Sequence, residues 1–525
     1  MSRVKTDGAA RFRAGVVVVA VAALALEVLG PASARTHAGP RYGGTLVYGL
    51  AGDPNLDPTV SIGPGALVIF RAMCLRLYEY DGKLQLTPVL AATRPALAKD
   101  KRSYTVQLRQ GVMFNDGTPL NAQAIVTNYQ RYATYPGSTR ASDFASVDSV
   151  TASGPYTVVF HLNARDSTFT GNMYVLSPTT LAKEGDSFGE NPVCVGPFMF
   201  DHRFVGDNIT LIKSPYYYDQ KDVYLDKIVY KPIPDGAAAA AALKTGDIQV
   251  LDNVSSTELA AIRQSPSLRV LRLQGLAWSG IVINIGNKDG VDEPYANVGT
   301  PLARSAKLRQ AFEEAIDRNA MNRIVYNGLT QPSCTMIAAS NTVWYDGTKV
   351  PCTPYDPKDA RKLVAASGFP NPTVHLLAQV PGPLTQFIQA EEAAVGINVV
   401  IDYVTGGGVF VARRASGNFD TALSSQGMFG PDPNEAIYRS VVTSGVRNWG
   451  GYSNPRLDLI LANGLKATST QARSTLYHVA QQILQDDRPL IILDNPITYT
   501  AFSTNVTGVQ LTSPGAVSVV NARLR

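Results

Sequence analysis

The chain has 525 residues, with 47 Lys and Arg against 42 Asp and Glu, a formal net charge of +5. So thin an excess, with no run of basic residues interleaved with aromatics, excludes the electrostatic footprint of a nucleic-acid binder.

At the N-terminus Arg3, Lys5, Arg11 and Arg13 form a basic start, Ala14 to Leu29 is mostly apolar, and Ala32-Ser33-Ala34 offers small residues that a signal peptidase accepts. The apolar stretch is short for a bilayer span and is broken by Glu27, so residues 1–34 are expected to be a signal peptide cleaved near Ala34. A lipid anchor needs a Cys directly behind the cleavage site, and the first Cys is Cys74. With no lipobox and no later segment apolar enough to span, a soluble exported chain is expected. Roughly 490 residues then remain, more than one core supports, so two or three lobes are predicted.

Between Arg102 and Leu162 the pattern is strand, helix, strand. Tyr104, Val106 and Leu108 alternate with polar residues, Asp116-Gly117 makes a turn, and Asn121 caps a helix running to about Tyr132. Val147–Thr151 and Tyr156–Leu162 read as a hairpin around Ser153-Gly154-Pro155. Asp235 caps the Ala-rich helix 237–244, which Gly246 stops before the strand-like stretch Ile248 to Leu251. Ser305 caps a helix with Leu308, Phe312, Ala315 and Ile316 on one face, and Leu476, Val479, Ala480 and Ile483 repeat that spacing. Asp486-Asp487-Arg488-Pro489 ends the later helix, and Leu490 to Leu493 suits a buried strand. Strands and helices keep alternating, which predicts α/β lobes.

The four cysteines, Cys74, Cys194, Cys334 and Cys352, allow two disulfides in an exported chain, with three possible connectivities. Cys334 with Cys352 is the preferred local pair, since closing such a loop removes roughly 3 kcal/mol of unfolded-chain entropy. Without CxxC spacing, and with five scattered histidines (His37, His161, His202, His375, His478), a metal site is not expected. No GxSxG elbow, Walker A loop, HExxH helix or GxGxxG fingerprint occurs. Thr405-Gly406-Gly407-Gly408 lacks the trailing Lys-Ser/Thr of a phosphate cradle and reads as a flexible loop, and adjacent Asp486 and Asp487 read as solvated or capping groups. Neither catalysis nor a cofactor is expected.

From Gly43 to the C-terminus the residues resemble the bacterial extracellular solute-binding proteins of family 5, the peptide and nickel binding group of ABC importers. The likeness runs through Gly43-Gly44-Thr45-Leu46, Leu56-Asp57-Pro58, Leu86-Thr87-Pro88-Val89-Leu90-Ala91 and above all the stretch Tyr104 to Leu120. It continues in order through Val195-Gly196-Pro197-Phe198, Tyr224 to Ile228, Ala242 to Ile248, Arg309 to Phe312, Ala315 to Arg318, Tyr355-Asp356-Pro357 and Gly451 to Pro455. The resemblance implies a type II-like, cluster C periplasmic-binding-protein fold. Residues 40–70, 191–287 and 486–525 would form lobe I, with 71–190 as an additional α+β subdomain, and 288–485 would form lobe II. It also implies a monomeric periplasmic receptor that closes on a small organic solute, a short or modified peptide being favoured, and hands it to permease subunits.

Peptide-binding relatives carry an acid three residues before an Asp/Glu-Pro step, where it pairs with the peptide's ammonium. Here the step is Asp432-Pro433 and the position is Phe429, a ring that cannot neutralise an ammonium. Gln426 stands where oligopeptide binders have an aromatic, and Arg414 matches a basic residue of theirs. The departure keeps a metal chelate, an opine-like conjugate, a saccharide or an aromatic compound as alternative cargoes, and an exported hydrolase with an unrecognised site as a reading from another class. Candidate ligand contacts are Trp278, Arg414, Gln426, Met428, Phe429, Arg447, Trp449, Asp494 and Asn495, with Asp494 the candidate substitute acid. Trp278 and Trp449 suit core or hinge packing equally well, and Arg414 and Arg447 suit surface charge.

Overall fold

Side-chain caps set many of the element boundaries. The Asn121 carboxamide accepts the Ala124 N–H at 3.0 Å and opens helix Ala122–Thr134. Asp235 accepts the Ala238 N–H at 2.7 Å and opens Gly236–Thr245, which Gly246 ends in the left-handed region. Ser305 opens Ala306–Glu314, and Arg488, also left-handed, closes Thr470–Asp487 ahead of Pro489. These are the ends expected from the sequence, within a residue or two. The glycine run at 405–408 differs from expectation: Gly407–Ala415 is a helix, and it buries Phe410 at 5 % exposure.

The computed structural model describes residues 42–525 except 62, 167, 170, 346–349, 380, 406, 428, 429, 446 and 512–516. Residues 1–34, expected to be a signal peptide, and the candidates Met428 and Phe429 lie outside the described residues. Two large sheets organise the chain. The first has seven strands in the order Leu268–Gln274, Ile497–Ser503, Val250–Leu251, Thr45–Leu50, Lys227–Pro232, Asn208–Lys213 and Phe198–Phe204. The second has six, in the order Gln331–Pro332, Leu490–Asn495, Trp278–Ile283, Thr421–Gln426, Thr373–Ala378 and Asn398–Tyr403. A four-stranded sheet, Ala96–Leu97, Ser103–Gln107, Thr157–Leu162 and Val147–Ala152, packs under helix Ala122–Thr134, and this α+β unit is termed the subdomain below. Each has its own apolar cluster: Leu77 to Val175 with Val195 in the subdomain, and Trp278 to Leu493 in the second lobe.

The chain passes between the two large sheets twice, side by side. Strand Leu268–Gln274 pairs antiparallel with Ile497–Ser503 in the first sheet, and Trp278–Ile283 pairs antiparallel with Leu490–Asn495 in the second. The passages are therefore residues 275–277 and Pro496, some way from the expected 287 and 486. The reason is packing: Ile281, Ile283, Ile491 and Leu493 are fully or almost fully buried in the second lobe's cluster. Next to the crossing, Gly280 approaches its neighbour so closely that a Cβ would run into the carbonyl oxygen of Ile491.

Both cystine pairs are formed, Cys334 with Cys352 and Cys74 with Cys194. The second pair joins the two ends of the subdomain where they leave the first lobe. Cys74 follows helix Pro64–Met73, and the Leu75 N–H donates to the Val195 carbonyl at 2.7 Å.

Candidate functional site

A cavity of about 360 Å³ lies between the subdomain and the second lobe. Its subdomain wall includes Arg76, Tyr80, Arg140, Asp143, Arg165 and Asp166, and its second-lobe wall includes Gly430, Asp432, Asn434, Tyr438 and Arg439. The two walls touch at an ion pair: the Arg439 guanidinium donates to Asp143, and Arg140 reaches the other Asp143 oxygen at 2.7 Å. Asp143 comes from the short turn Ala141–Phe144, and Arg439 from the one-turn helix Tyr438–Val441. Burial alone would push the Asp143 carboxyl up. Arg140 and Arg439 outweigh it, with a smaller contribution from Arg447, and hold it below the ordinary carboxylate value of 3.8.

On the second-lobe wall, Asp432 accepts the Asn434 N–H at 3.0 Å and caps the turn that follows. It also takes a two-pronged hydrogen bond from Arg473 at 2.7 and 2.6 Å, with the guanidinium 4.8 Å from the Trp344 ring centroid. The acid of the Asp-Pro step is thus already neutralised from within its own lobe.

The sequence-derived candidates assemble elsewhere. Trp278, Gln426, Arg447 and Trp449 meet around a small cavity of about 10 Å³ inside the second lobe, the size of one water, with Trp278 opposite Gln426 in adjoining strands. Arg414 stacks between Phe410 and Trp449 at 4.4 and 4.8 Å, bonds Ser424 at 3.4 Å, and is pushed down from its ordinary value by burial. Asp494, 2 % exposed, accepts from the Ser279 hydroxyl and, at 2.7 Å, from that of Thr330. Burial raises its carboxyl and the two hydroxyls partly offset this. Asn495 donates to the Ala277 carbonyl at 3.1 Å. Asp494 and Asn495 thus stand at the lobe crossing, and none of these seven residues borders the large cavity. Asp143, Asp166, Tyr438 and Arg439 were missed because no motif marks them. The only local signal is Asp-x-Thr at 166–168, a sequence that folds back on its own backbone. Among the described residues no helix is long and apolar enough to cross a membrane, and no cluster of three or more His, Cys, Asp or Glu is placed to hold a metal.

If this cavity holds a ligand, replacing Asp143 by Asn is expected to weaken its capture by about tenfold to 100-fold, since Arg439 would meet a neutral amide across the cavity. Titration calorimetry at low and high salt checks this, and equal affinities for wild type and variant at both would show that the pair does not support closure. The depressed Asp143 value means that its contribution is present above 3.8 and is lost as the pH falls through the lower folded-state value.

Two lobes joined by a double crossing, with a polar cavity at their meeting face, define a binding protein of the hinged type. Residues 85–448 match the model of the "Bacterial extracellular solute-binding proteins, family 5 Middle", and the chain belongs to that family. It is 26 % identical over 496 residues to the glutathione-binding protein GsiB of Shigella flexneri serotype 5b, covering 90 % of this chain and 92 % of that protein. Its fold is similar to that of the periplasmic binding protein DppA from Helicobacter pylori in complex with the peptide STSA, with a TM-score of 0.78, 23 % identity and coverage of 92 % and 98 %. The binding protein AgaA from A. tumefaciens R10 in complex with agropinic acid gives the same TM-score and identity, with coverage of 92 % and 99 %.

Proposed function

We propose that this protein is the extracytoplasmic receptor of an ABC importer, that it captures a short or modified peptide in the cavity between subdomain and second lobe, and that it delivers this cargo to a membrane permease. The observation that carries the reading is a cavity of about 360 Å³, within the usual range for small-ligand sites, whose two walls belong to different lobes and meet at Asp143 and Arg439. Closure then buries the ligand, and a permease distinguishes the closed form from the empty one. The GsiB relatives, named for glutathione, and the peptide-bound DppA structure support a peptide cargo. The chain works as a monomer in the periplasm after removal of residues 1–34, and it releases its ligand unchanged.

A non-peptide, opine-like cargo is the second reading. It is favoured by Phe429 in the place of the family's amine-binding acid and by the agropinic acid complex of AgaA. Native mass spectrometry of the gently purified protein, followed by calorimetry with glutathione and trialanine, separates the two. Bound peptide recovered intact supports the first reading, a bound sugar-acid conjugate supports the second, and a cleaved product overturns both.

A further inference from the structure

Asp166 lines the cavity from the subdomain side and is 7 % exposed. Its Oδ1 accepts the Thr168 N–H at 2.8 Å and the Thr168 hydroxyl at 2.7 Å, which fixes the carboxylate on its own turn. Among the described residues its Oδ2 accepts no hydrogen bond, and no Lys, Arg or His forms an ion pair with it. A carboxylate taken out of water needs a cation or a full set of donors. Among the described residues Asp166 has only the two Thr168 donors and no cation.

Arg473, Arg140 and Arg439 are committed elsewhere, while Arg165, which lines the same cavity, is exposed. Arg473 gives its terminal nitrogens to Asp432, Nη2 also to the Tyr477 hydroxyl at 2.8 Å, and Nε to the Gly464 carbonyl at 3.1 Å. Arg140 and Arg439 both turn to Asp143. The Tyr104 phenol registers the imbalance: burial pushes it up, Asp166 and Asp432 push it further, and only Arg473 pulls it back. Tyr104 thus lies near both carboxylates and near the Arg473 guanidinium, which is bound to Asp432. A divalent metal ion does not fit the vacancy, since it needs several oxygen or nitrogen donors and no such cluster exists among the described residues.

We infer that Asp166 receives the cationic nitrogen of the ligand, so that the cargo carries a primary ammonium group and is held from the subdomain side. This rests on the cavity being the capture site. It supplies an acid that the family's usual position, Phe429 in this sequence, lacks.

The test is calorimetry of the full chain with trialanine and with N-acetyl-trialanine, on wild type, Asp166→Asn and Asp166→Glu. Asn keeps an oxygen for the Thr168 N–H, so the turn survives, and melting curves of both variants check the fold. Wild type is expected to prefer the free amine by about 100-fold, Asp166→Asn to lose that preference, and Asp166→Glu to regain part of it. Equal binding of the two peptides by wild type, or an undiminished preference in Asp166→Asn, overturns the assignment alone. Wild-type protein that binds neither peptide overturns the peptide reading of the cavity and the assignment with it.

Discussion

Cutting the Cys74–Cys194 bridge by replacing both residues with Ala is expected to destabilise the first lobe and its subdomain by about 4–5 kcal/mol. The bridge closes a loop with a sequence separation of 120, and in the chain-entropy account the stabilisation grows with the logarithm of loop length. Both cysteines are 1 % exposed and sit in the first lobe's apolar cluster, so Ala leaves no buried hydroxyl behind. The second lobe's cluster shares no residue with that region. Calorimetry should therefore show a new, earlier transition while the second lobe melts nearly as before. Removing Cys334–Cys352, with a separation of 18, should cost less, roughly 3 kcal/mol, and should affect the other transition. A melting profile unchanged by loss of the first bridge would show that the subdomain is held by packing alone.

The second large effect concerns Glu392, in helix Pro383–Ala394. It is completely buried, neither carboxylate oxygen has a hydrogen-bond partner among the described residues, and its neighbour Glu391 is acidic too. Burial first, and Glu391 second, raise the carboxyl well above 4.5, so the folded protein holds it neutral while the unfolded chain ionises. Stability is then full below about 4.5 and falls by about 1.4 kcal/mol for each further pH unit until the folded carboxyl itself ionises. Glu392→Met, of similar shape and without charge, is expected to stabilise the protein at pH 8 by roughly 2–4 kcal/mol and to change little at pH 4.5. Urea denaturation at a series of pH values checks this. Parallel curves for the two proteins would mean that water or a shifted helix satisfies the carboxylate.

What the sequence reveals and what it hides divides along a physical line. Caps such as Asn121, Asp235 and Ser305, and periodic faces such as Leu308 with Phe312, act over a few residues, so they can be read directly. Lobe membership acts at long range. The strand Trp278–Ile283 reads as an apolar run that would suit either sheet, and only its pairing with Thr421–Gln426 and Leu490–Asn495 decides. The cavity is harder still. Asp143 and Arg439 are 296 residues apart, each on an element of four residues with no pattern of its own. The candidates read from the family's usual pocket, Trp278, Gln426, Arg447 and Trp449, do converge, but around a void the size of a water. Asp494, the candidate substitute for the missing acid, has its charge answered by Ser279 and Thr330 at the crossing.

That crossing decides how the lobes are free to move. Gln274 lies opposite Ile497 on one side and Ser279 opposite Asp494 on the other, so the two connecting segments are laced together at both ends. A single tether would let one lobe swivel or slide over the other. Two parallel tethers, one of them the stiff ring of Pro496, leave a swing about one axis. Closure then has one coordinate, and on the proposed reading of the cavity each cargo meets the same two walls. Selection by size reduces to a single question: how far the swing proceeds before Arg439 reaches Asp143.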